Sequence, residues 1–355
     1  MDEGSGRRSV AFAPDWWWPA CQSRDLGRRP VPITLMDRPL VLFRDGVGTA
    51  RAVVDRCAHR NVALSLGRVH EDGCLECPYH GWRYDGSGRC TAVPGLLGID
   101  ADATARTIGS HHVRERHGFV WVWGRAGADP VGDPFPLPRH EGRTGQVVFG
   151  CDLESTLHAA IENTLDVPHT AFLHRGIFRG RKEKDVTAER RDLEDGVEVR
   201  FMGEPVGIGP IQGGPLAGKV FEHWDRFFLP GIAQVEYRVE DWLRITNTVL
   251  HLPMSPTLTR AWFVLRWTSP LPAAVVKPIV LAQGRFVLRQ DARMLAAQSA
   301  QIERFGGERF ASTELDLLGS AIWRLLRRAE RNGAGDANLD PEDPPTPEAT
   351  IHFTA

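Results

Sequence analysis

The sequence predicts an α+β chain in which an all-β module precedes a mixed half. Three observations carry that expectation. Short β-branched and aromatic runs alternate with Gly, Asp and Pro up to about residue 124, a proline-rich connection follows, and beyond it strands give way to two helical stretches. In chain order, the polar residues 1–12 are expected to form a flexible N-terminus. After "WWWPA", the runs "VPITLM" and "LVLFRDG" are joined by the turn "DRP", and "ARAVVDRC" and "GFVWVWG" complete a β module over residues 13–130. "GADPVGDPFPLPRHEG", near residues 127–143, is a linker. The mixed half spans 131–331. There "LESTLHAAIENTL" places apolar residues at 153, 157, 161 and 165, the four-residue step of one helix face. Strands are expected at "VEVRFMG", "VFEHWDRFFLP", "AQVEYRVED", "LRITNTVLHLP" and "TRAWFVLRWT", then a long helix from about Val275 to Phe305 and an amphipathic one over "LDLLGSAIWRLLRRAER". Residues 332–355, rich in acid, proline and small side chains, are expected to be a flexible tail. There are no internal repeats.

Of the 355 residues, 42% are hydrophobic and 25% charged, enough for one large or two medium globular domains. Lys plus Arg (43) nearly balances Asp plus Glu (45), so no electrostatic footprint for a phosphate backbone or anionic lipid dominates, and nucleic acid is not an expected partner. No apolar run approaches the roughly 20 residues of a bilayer span, and the first residues lack the apolar core and cleavage site of a secretory signal. A cytoplasmic protein with no membrane partner is expected. Three of the six cysteines fall between positions 57 and 77, which reads as metal ligation in a reducing compartment rather than a disulfide framework.

Cys57 and His59 are separated by one residue and Cys77 and His80 by two, with seventeen residues between the pairs. Zinc and a Rieske 2Fe-2S cluster both use cysteine and histidine, so the ligand types leave both open. The order bears on the choice: a Rieske centre puts both cysteines on one iron and both histidines on the other, and C-x-H and C-x-x-H each give one of each. Tyr79, Gly81 and Trp82 suit a tight turn with backbone amides facing the cluster. The competing arrangement pairs Cys74 and Cys77, a C-x-x-C, with Cys57 and His59 as a structural zinc site. Cys21, Cys90 and Cys151 have no partners at ligand spacing and read as buried core.

The two Cys/His pairs, the "GW" that follows, "WWWPA" and the "DRCAHR" approach resemble the Rieske non-haem iron oxygenases over roughly residues 15–125. The resemblance implies a Rieske 2Fe-2S domain followed by a helix-grip (START-like) catalytic domain with a second iron site. "ENTLDVPHTAFLH" tests that implication. His169 and His174 are five residues apart, which on a regular helix points them about 140° apart. Both can reach one metal only if the helix is distorted or ends, and Pro168 is a cause for either. The resemblance places the carboxylate that completes a facial Fe(II) triad on a downstream helix, where "VLRQDARMLAAQ" offers Asp291. Asp166 stands three residues before His169, a helical neighbour able to orient its ring. In the resembling family that aspartate also bridges to a Rieske histidine of the adjacent subunit, here His80. Glu162 and Asn163 match the family's wording without an assigned role. The lone histidines His158, His223 and His251 read as structural, and "FFLPGIAQVEY" as core and pocket wall.

No Gly-rich dinucleotide fingerprint follows a strand, so NAD(P)H and flavin would act through a separate reductase, with or without a ferredoxin. The resemblance implies a terminal oxygenase component that uses O2 to hydroxylate, demethylate or oxidatively cyclise an aromatic or polycyclic molecule. Length and linker pattern resemble members built from one subunit type, such as vanillate demethylases, the pheophorbide a oxygenase group and bacterial natural-product oxygenases, more than longer chains that pair with a β-subunit, which implies a homotrimer. Two other classes compete: a Rieske electron carrier without oxygenase activity, and a zinc-stabilised binding protein.

Overall fold

Three small antiparallel sheets build the first part of the chain in the computed structural model, which describes residues 9–96, 104–174, 185–203, 221–240, 242–332 and 349–354. The strands are β1 (Trp17–Gln22), β2 (Val31–Leu35), β3 (Arg38–Arg44), β4 (Ala50–Val54), β5 (Arg68–Val69), β6 (Leu75–Glu76), β7 (Arg83–Tyr84), β8 (Cys90–Ala92), β9 (Ser110–His111), β10 (Val113–Arg116) and β11 (Phe119–Trp123). They associate as β1-β11-β10, β2-β3-β4-β9 and β5-β6-β7-β8. Two apolar clusters follow from the alternation along these strands. One gathers Val41, Phe43, Val53, Leu64, Leu75 and Tyr84 around Cys57 and Cys77. The other runs from Trp18, Leu40 and Trp121 without a break into the second half of the chain.

The β2–β3 turn joins the two halves. Met36 and Asp37 both have positive φ (44° and 59°), the twist of a tight hairpin turn. A left-handed methionine is uncommon; here its N–H donates to Pro253 O at 2.7 Å and that of Asp37 to Met254 O at 2.8 Å.

The second half is one eight-stranded sheet with helices. Its elements are β12 (Thr144–Leu153), α1 (Leu157–Leu165), α2 (His169–Leu173), β13 (Asp185–Leu193), β14 (Gly196–Met202), β15 (Phe221–Phe228), β16 (Ile232–Val239), β17 (Leu243–Ser255), β18 (Leu258–Thr268), α3 (Ala273–Arg304), α4 (Gly319–Asn332) and β19 (Ala349–Thr354). The strand order is β12-β18-β17-β16-β15-β14-β13-β19, and α3 packs across β12, where Gly284 leaves room for Phe149. Along β16 and β17 the side chains alternate between two environments, as the two-residue period of a strand requires. Val235, Tyr237, Ile245 and Asn247 face a cavity. Arg226, Glu236, Arg238 and Arg244 form an ion-paired network on the other face. The proline-rich connection lies over that face, with Phe135 against Phe228 and His140 Nε2 2.9 Å from Thr246 Oγ1.

Three expectations need correction, and one strand was not anticipated. The helix expected from residue 153 starts at Leu157, because Leu153 completes a ten-residue pairing of β12 with β18 and Thr156 caps the helix by accepting from Ala159 N. β13, "DVTAERRDL", carries too many charges to read as a strand, yet it pairs with β14 on one side and β19 on the other. β19 itself lies in the stretch expected to be a flexible tail, of which residues 333–348 and 355 fall outside the described residues. At the other end, Ser9 donates to Glu308, Ala11 is buried and Phe12 stacks on Trp18, so residues 9–12 are packed and the expectation for residues 1–8 falls outside the described residues.

Candidate metal centres and the cavity beside them

The two Cys/His loops close in the same way. In the first, Cys57 N donates to Val62 O and Cys57 O accepts from Asn61 N, with Asn61 at φ 61°. In the second, Cys77 N donates to Trp82 O and Cys77 O accepts from Gly81 N, with Gly81 at φ 68°. Each loop therefore turns its cysteine inward and carries its histidine outward. Cys57 and Cys77 are buried, and their thiols lie within hydrogen-bonding reach of each other. The His59 and His80 rings meet edge to face with centroids 4.5 Å apart, and His59 lies flat on Trp82. Burial pushes the Cys77 thiol pKa up, against the backbone amides of Tyr79 and His80 that donate to it. Tyr84 Oη accepts from Ala58 N at 3.1 Å and stands 3.3 Å from Cys57 Sγ.

These residues fit a Rieske 2Fe-2S cluster. They pair by type, thiol with thiol and imidazole with imidazole, as two unlike irons require. His59 Nδ1 is buried with no hydrogen-bond partner among the described residues, as expected of an atom reserved for a metal. Cys74 Sγ accepts from Thr91 Oγ1 at 3.4 Å.

The second cluster forms where α1 stops. Asp166 ends that helix in extended conformation (φ −84°, ψ 106°), and Pro168 opens the single turn of α2. His169 is the first residue of that turn, while His174 lies just past its end at φ −110°, ψ 37°. The break is what lets both rings face one point: His169 Nε2 and His174 Nε2 are 3.3 Å apart. Asp291 arrives from α3 with Oδ1 3.0 Å from His174 Nε2 and 3.7 Å from His169 Nε2. Among the described residues this is the group of three whose ligand atoms lie within 4.8 Å of one another. Two imidazole lone pairs and a carboxylate oxygen at such distances repel unless a cation or proton lies between them, and Asp291 Oδ1 is buried with no aligned hydrogen bond. The residues fit a two-histidine, one-carboxylate metal site.

The outer nitrogens of the two rings differ in setting. His174 Nδ1 lies 2.9 Å from Gln290 Oε1, and His169 Nδ1 lies 3.3 Å from Asp166 Oδ2, off the axis of a hydrogen bond. Asp166 is thus next to His169 across the helix break, not along one helix as the spacing suggests. Burial opposes a charge on His174, but its contacts with Asp291 and Gln290 outweigh that and raise its pKa.

His169 separates two cavities. The smaller, about 230 Å³, lies between α3 and the inner sheet face and also touches His174 and Asp291. The larger, about 740 Å³, is lined by Asp166, Glu162, His158 and Trp323 on the other side.

Comparison with known proteins gives the family. Residues 16–100 match the Rieske [2Fe-2S] domain, and residues 153–332 match the vanillate O-demethylase oxygenase C-terminal domain. The 4β-methylsterol monooxygenase of Methylococcus capsulatus is 31% identical over 278 residues, covering 76% of this chain and 72% of that protein. The chain belongs to the Rieske oxygenase family. Other relatives of this Rieske oxygenase are matched over less of their length: the chloroplastic protein TIC 55 of Arabidopsis thaliana is 32% identical over 186 residues, 51% of this chain and 33% of TIC 55. The fold is shared with dicamba monooxygenase bound to 3,6-dichlorosalicylic acid, at TM-score 0.76 and 20% identity over 90% of this chain and 98% of that one.

Two residues of this Rieske oxygenase's site escaped the reading of the sequence. Gln290 was visible only as the neighbour of Asp291, and Asn247 as one polar residue in an alternating strand. The histidines read as structural differ in setting. His158 Nε2 meets Gly319 O at 2.9 Å and His251 Nδ1 meets Gly231 O at 2.9 Å, both backbone contacts. His223 instead lies 3.0 Å from Asp225 and stacks on Tyr237, a cavity residue. Of the two family-matching residues, Asn163 touches both cavities and Glu162 the larger. Among the described residues no helix is long and apolar enough to cross a membrane.

Proposed function

We propose that this chain is the terminal oxygenase component of a Rieske system, taking electrons from a separate flavin reductase or ferredoxin and using O2 to hydroxylate, demethylate or oxidatively cyclise an aromatic or polycyclic small molecule. The observation that carries the proposal is the convergence of His169, His174 and Asp291 in the wall of a largely apolar cavity. Cys57, His59, Cys77 and His80 hold the 2Fe-2S cluster, and His169, His174 and Asp291 hold the mononuclear Fe(II). When bound, the cluster supplies single-electron transfer at a potential raised by its histidine ligands, and the ferrous ion supplies open positions for dioxygen beside the substrate.

The chain's own residues supply geometry. The buried cysteines keep one side of the cluster site dry, while exposed His80 and Tyr79 give it an edge that a partner can reach. Gln290 keeps the proton of His174 on Nδ1, so Nε2 presents a lone pair inward. Asp166, with 35% of its side chain exposed on the larger cavity, stands between His169 and the surface. This suits a bridge to His80 of a neighbouring copy and hence a homotrimer. The apolar cavity wall limits water and positions substrate. No disulfide joins the cysteines among the described residues, in keeping with a reducing, cytoplasmic setting. The methylsterol activity in the bacterial relative's name supports oxidation of an apolar ring system.

Iron analysis of anaerobically purified protein tests the proposal. About three irons per chain, with a Rieske resonance and O2-dependent turnover through a surrogate reductase, is the expected result. About two irons would instead mark an electron carrier, and zinc without iron would overturn both readings.

A further inference from the structure

We infer that the first half of α3 seats this protein on an anionic membrane surface, lying in the headgroup layer with one apolar stripe turned toward the acyl chains. The inference goes beyond the reading of the iron sites and does not depend on it.

The first argument is a helix without a polar face. Between Ala273 and Val287 only Lys277, Gln283 and Arg285 carry polar side chains, and no residue of that stretch is buried. A helix that packs one side on a sheet ordinarily turns a polar side to water. Here the side away from the cavity carries Val275, Ile279, Ala282 and Phe286, which at about 100° per residue fall within about 60° of one another. Val275 is 54%, Ile279 61% and Phe286 53% exposed, and Leu271, 52% exposed, prolongs the stripe just before the helix. Large apolar side chains aligned on a surface mark a binding face, unlike ones scattered singly. The stretch is shorter than the roughly 20 residues of a bilayer span, so it suits a helix that lies along a membrane and does not cross it.

The second argument is charge. Arg285 and Arg289 border the stripe on one side and Arg293 closes its end; all three are exposed, and none forms an ion pair among the described residues. No Asp or Glu occurs in the sequence between Asp241 and Asp291, and Asp291 points into the triad. The near-neutral balance of the whole chain therefore conceals a local excess of cations. Anionic lipid answers both features: acyl chains take the stripe, and headgroup phosphates take the guanidinium groups along its edge. The third argument is position. The other side of the same helix, through Val280, Gly284, Val287 and Leu288, lines the cavity that touches His169, His174 and Asp291. An apolar molecule held in the bilayer would thus lie one helix thickness, roughly 10 Å, from that cavity.

Flotation of the full-length holoenzyme with vesicles tests this, using phosphatidylcholine alone and an equal mixture of phosphatidylcholine and phosphatidylglycerol. The protein is expected to float with the anionic vesicles and to bind the neutral ones about 100-fold less, with binding to the mixture weakened by added salt. Arg285→Gln combined with Arg289→Gln should lower the partition coefficient about 30-fold, at about fivefold per cation near a charged surface. Ile279→Asp combined with Phe286→Asp should abolish flotation while Rieske absorbance and thermal midpoint are retained, because both side chains are already more than half exposed. No flotation with the anionic mixture, equal flotation with both kinds of vesicle, or flotation unchanged in either double variant would each overturn the inference. So would a changed sedimentation of the Ile279/Phe286 double variant, which would assign the stripe to a second copy of the chain. Should that variant fail to fold, the lipid comparison and the arginine variant still decide. None of these outcomes moves with iron content, so a failure here leaves the reading of the reactive centre standing, and an iron count that sinks that reading leaves the membrane face.

Discussion

Gln290 Oε1 sits 2.9 Å from His174 Nδ1, on the far side of the ring from Asp291, whose Oδ1 is 3.0 Å from Nε2. Two consecutive residues of α3 therefore set both the tautomer and the direction of one imidazole. An amide oxygen can only accept, so the ring proton stays on Nδ1. Gln290→Leu removes that acceptor while keeping the side-chain bulk. Iron affinity at the mononuclear site should fall about 10–100-fold, the cost typical of losing a hydrogen bond behind a ligand. Titration of iron into metal-depleted protein measures it, and an unchanged affinity would show that packing alone orients His174.

Asp291→Ala should go further. With the carboxylate gone the remaining donors are two neutral imidazoles, so the purified variant should lose mononuclear iron while its Rieske absorbance stays unchanged. Retention of that iron would move the third ligand to another residue.

The two centres differed in how far they could be read in advance. Cys57, His59, Cys77 and His80 come from two local loops, each closed by bonds within six residues, so their spacing carried the information. The His169/His174 spacing carried half of it: a regular helix was excluded, but the break at Asp166–Pro168 is a property of the backbone. Alternation along β14 to β18 exposed those strands, because one face is apolar. β13 and β19 stayed hidden because their register comes from pairing with strands distant in sequence, and the charges of β13 mask its buried Val186 and Ala188. Asn247 looked like ordinary strand polarity, since whether a residue faces a cavity or the linker depends on which face α3 covers.

Tyr84→Phe probes the other centre. Tyr84 Oη already accepts from Ala58 N, which leaves its proton for Cys57 Sγ at 3.3 Å. A donor to a ligand sulfur stabilises the more negative, reduced cluster, so removing it should lower the midpoint potential. A net hydrogen bond of about 1 kcal/mol corresponds to roughly 40 mV for one electron. Potentiometric titration followed by absorbance checks this, and a potential that rises or stays put would mean the hydroxyl does not donate to sulfur.

Acid stability should depend on His251. The ring is fully buried, with Nδ1 bonded to Gly231 O, and burial pushes its pKa from 6.5 down to about 4. The folded state holds it neutral while the unfolded chain protonates normally, so the unfolded state binds more protons as pH falls below 6.5. The contribution is complete above that value and is lost toward about 4, amounting to about 2 kcal/mol between pH 6.5 and 5. His251→Asn keeps a donor for Gly231 O and removes the titration. Its thermal midpoint should fall less than the natural protein's between those two conditions, and equal slopes would remove His251 as the source.

Asp166→Asn separates the bridging role from a structural one. The side chain lies 3.3 Å from His169 Nδ1 yet is 35% exposed, so it is not needed to fill the core. Asparagine is nearly isosteric and keeps an acceptor, so iron content, Rieske absorbance and thermal midpoint should all stay as they are. Turnover should fall about 10–100-fold, in line with the loss of an oriented carboxylate behind a metal ligand. The sharper readout is reoxidation of the reduced cluster by O2 in the presence of substrate, because this step needs the route between centres and not the reductase. Slowed reoxidation with both metals in place is the expected result; unchanged reoxidation and turnover would reduce Asp166 to a helix-terminating residue.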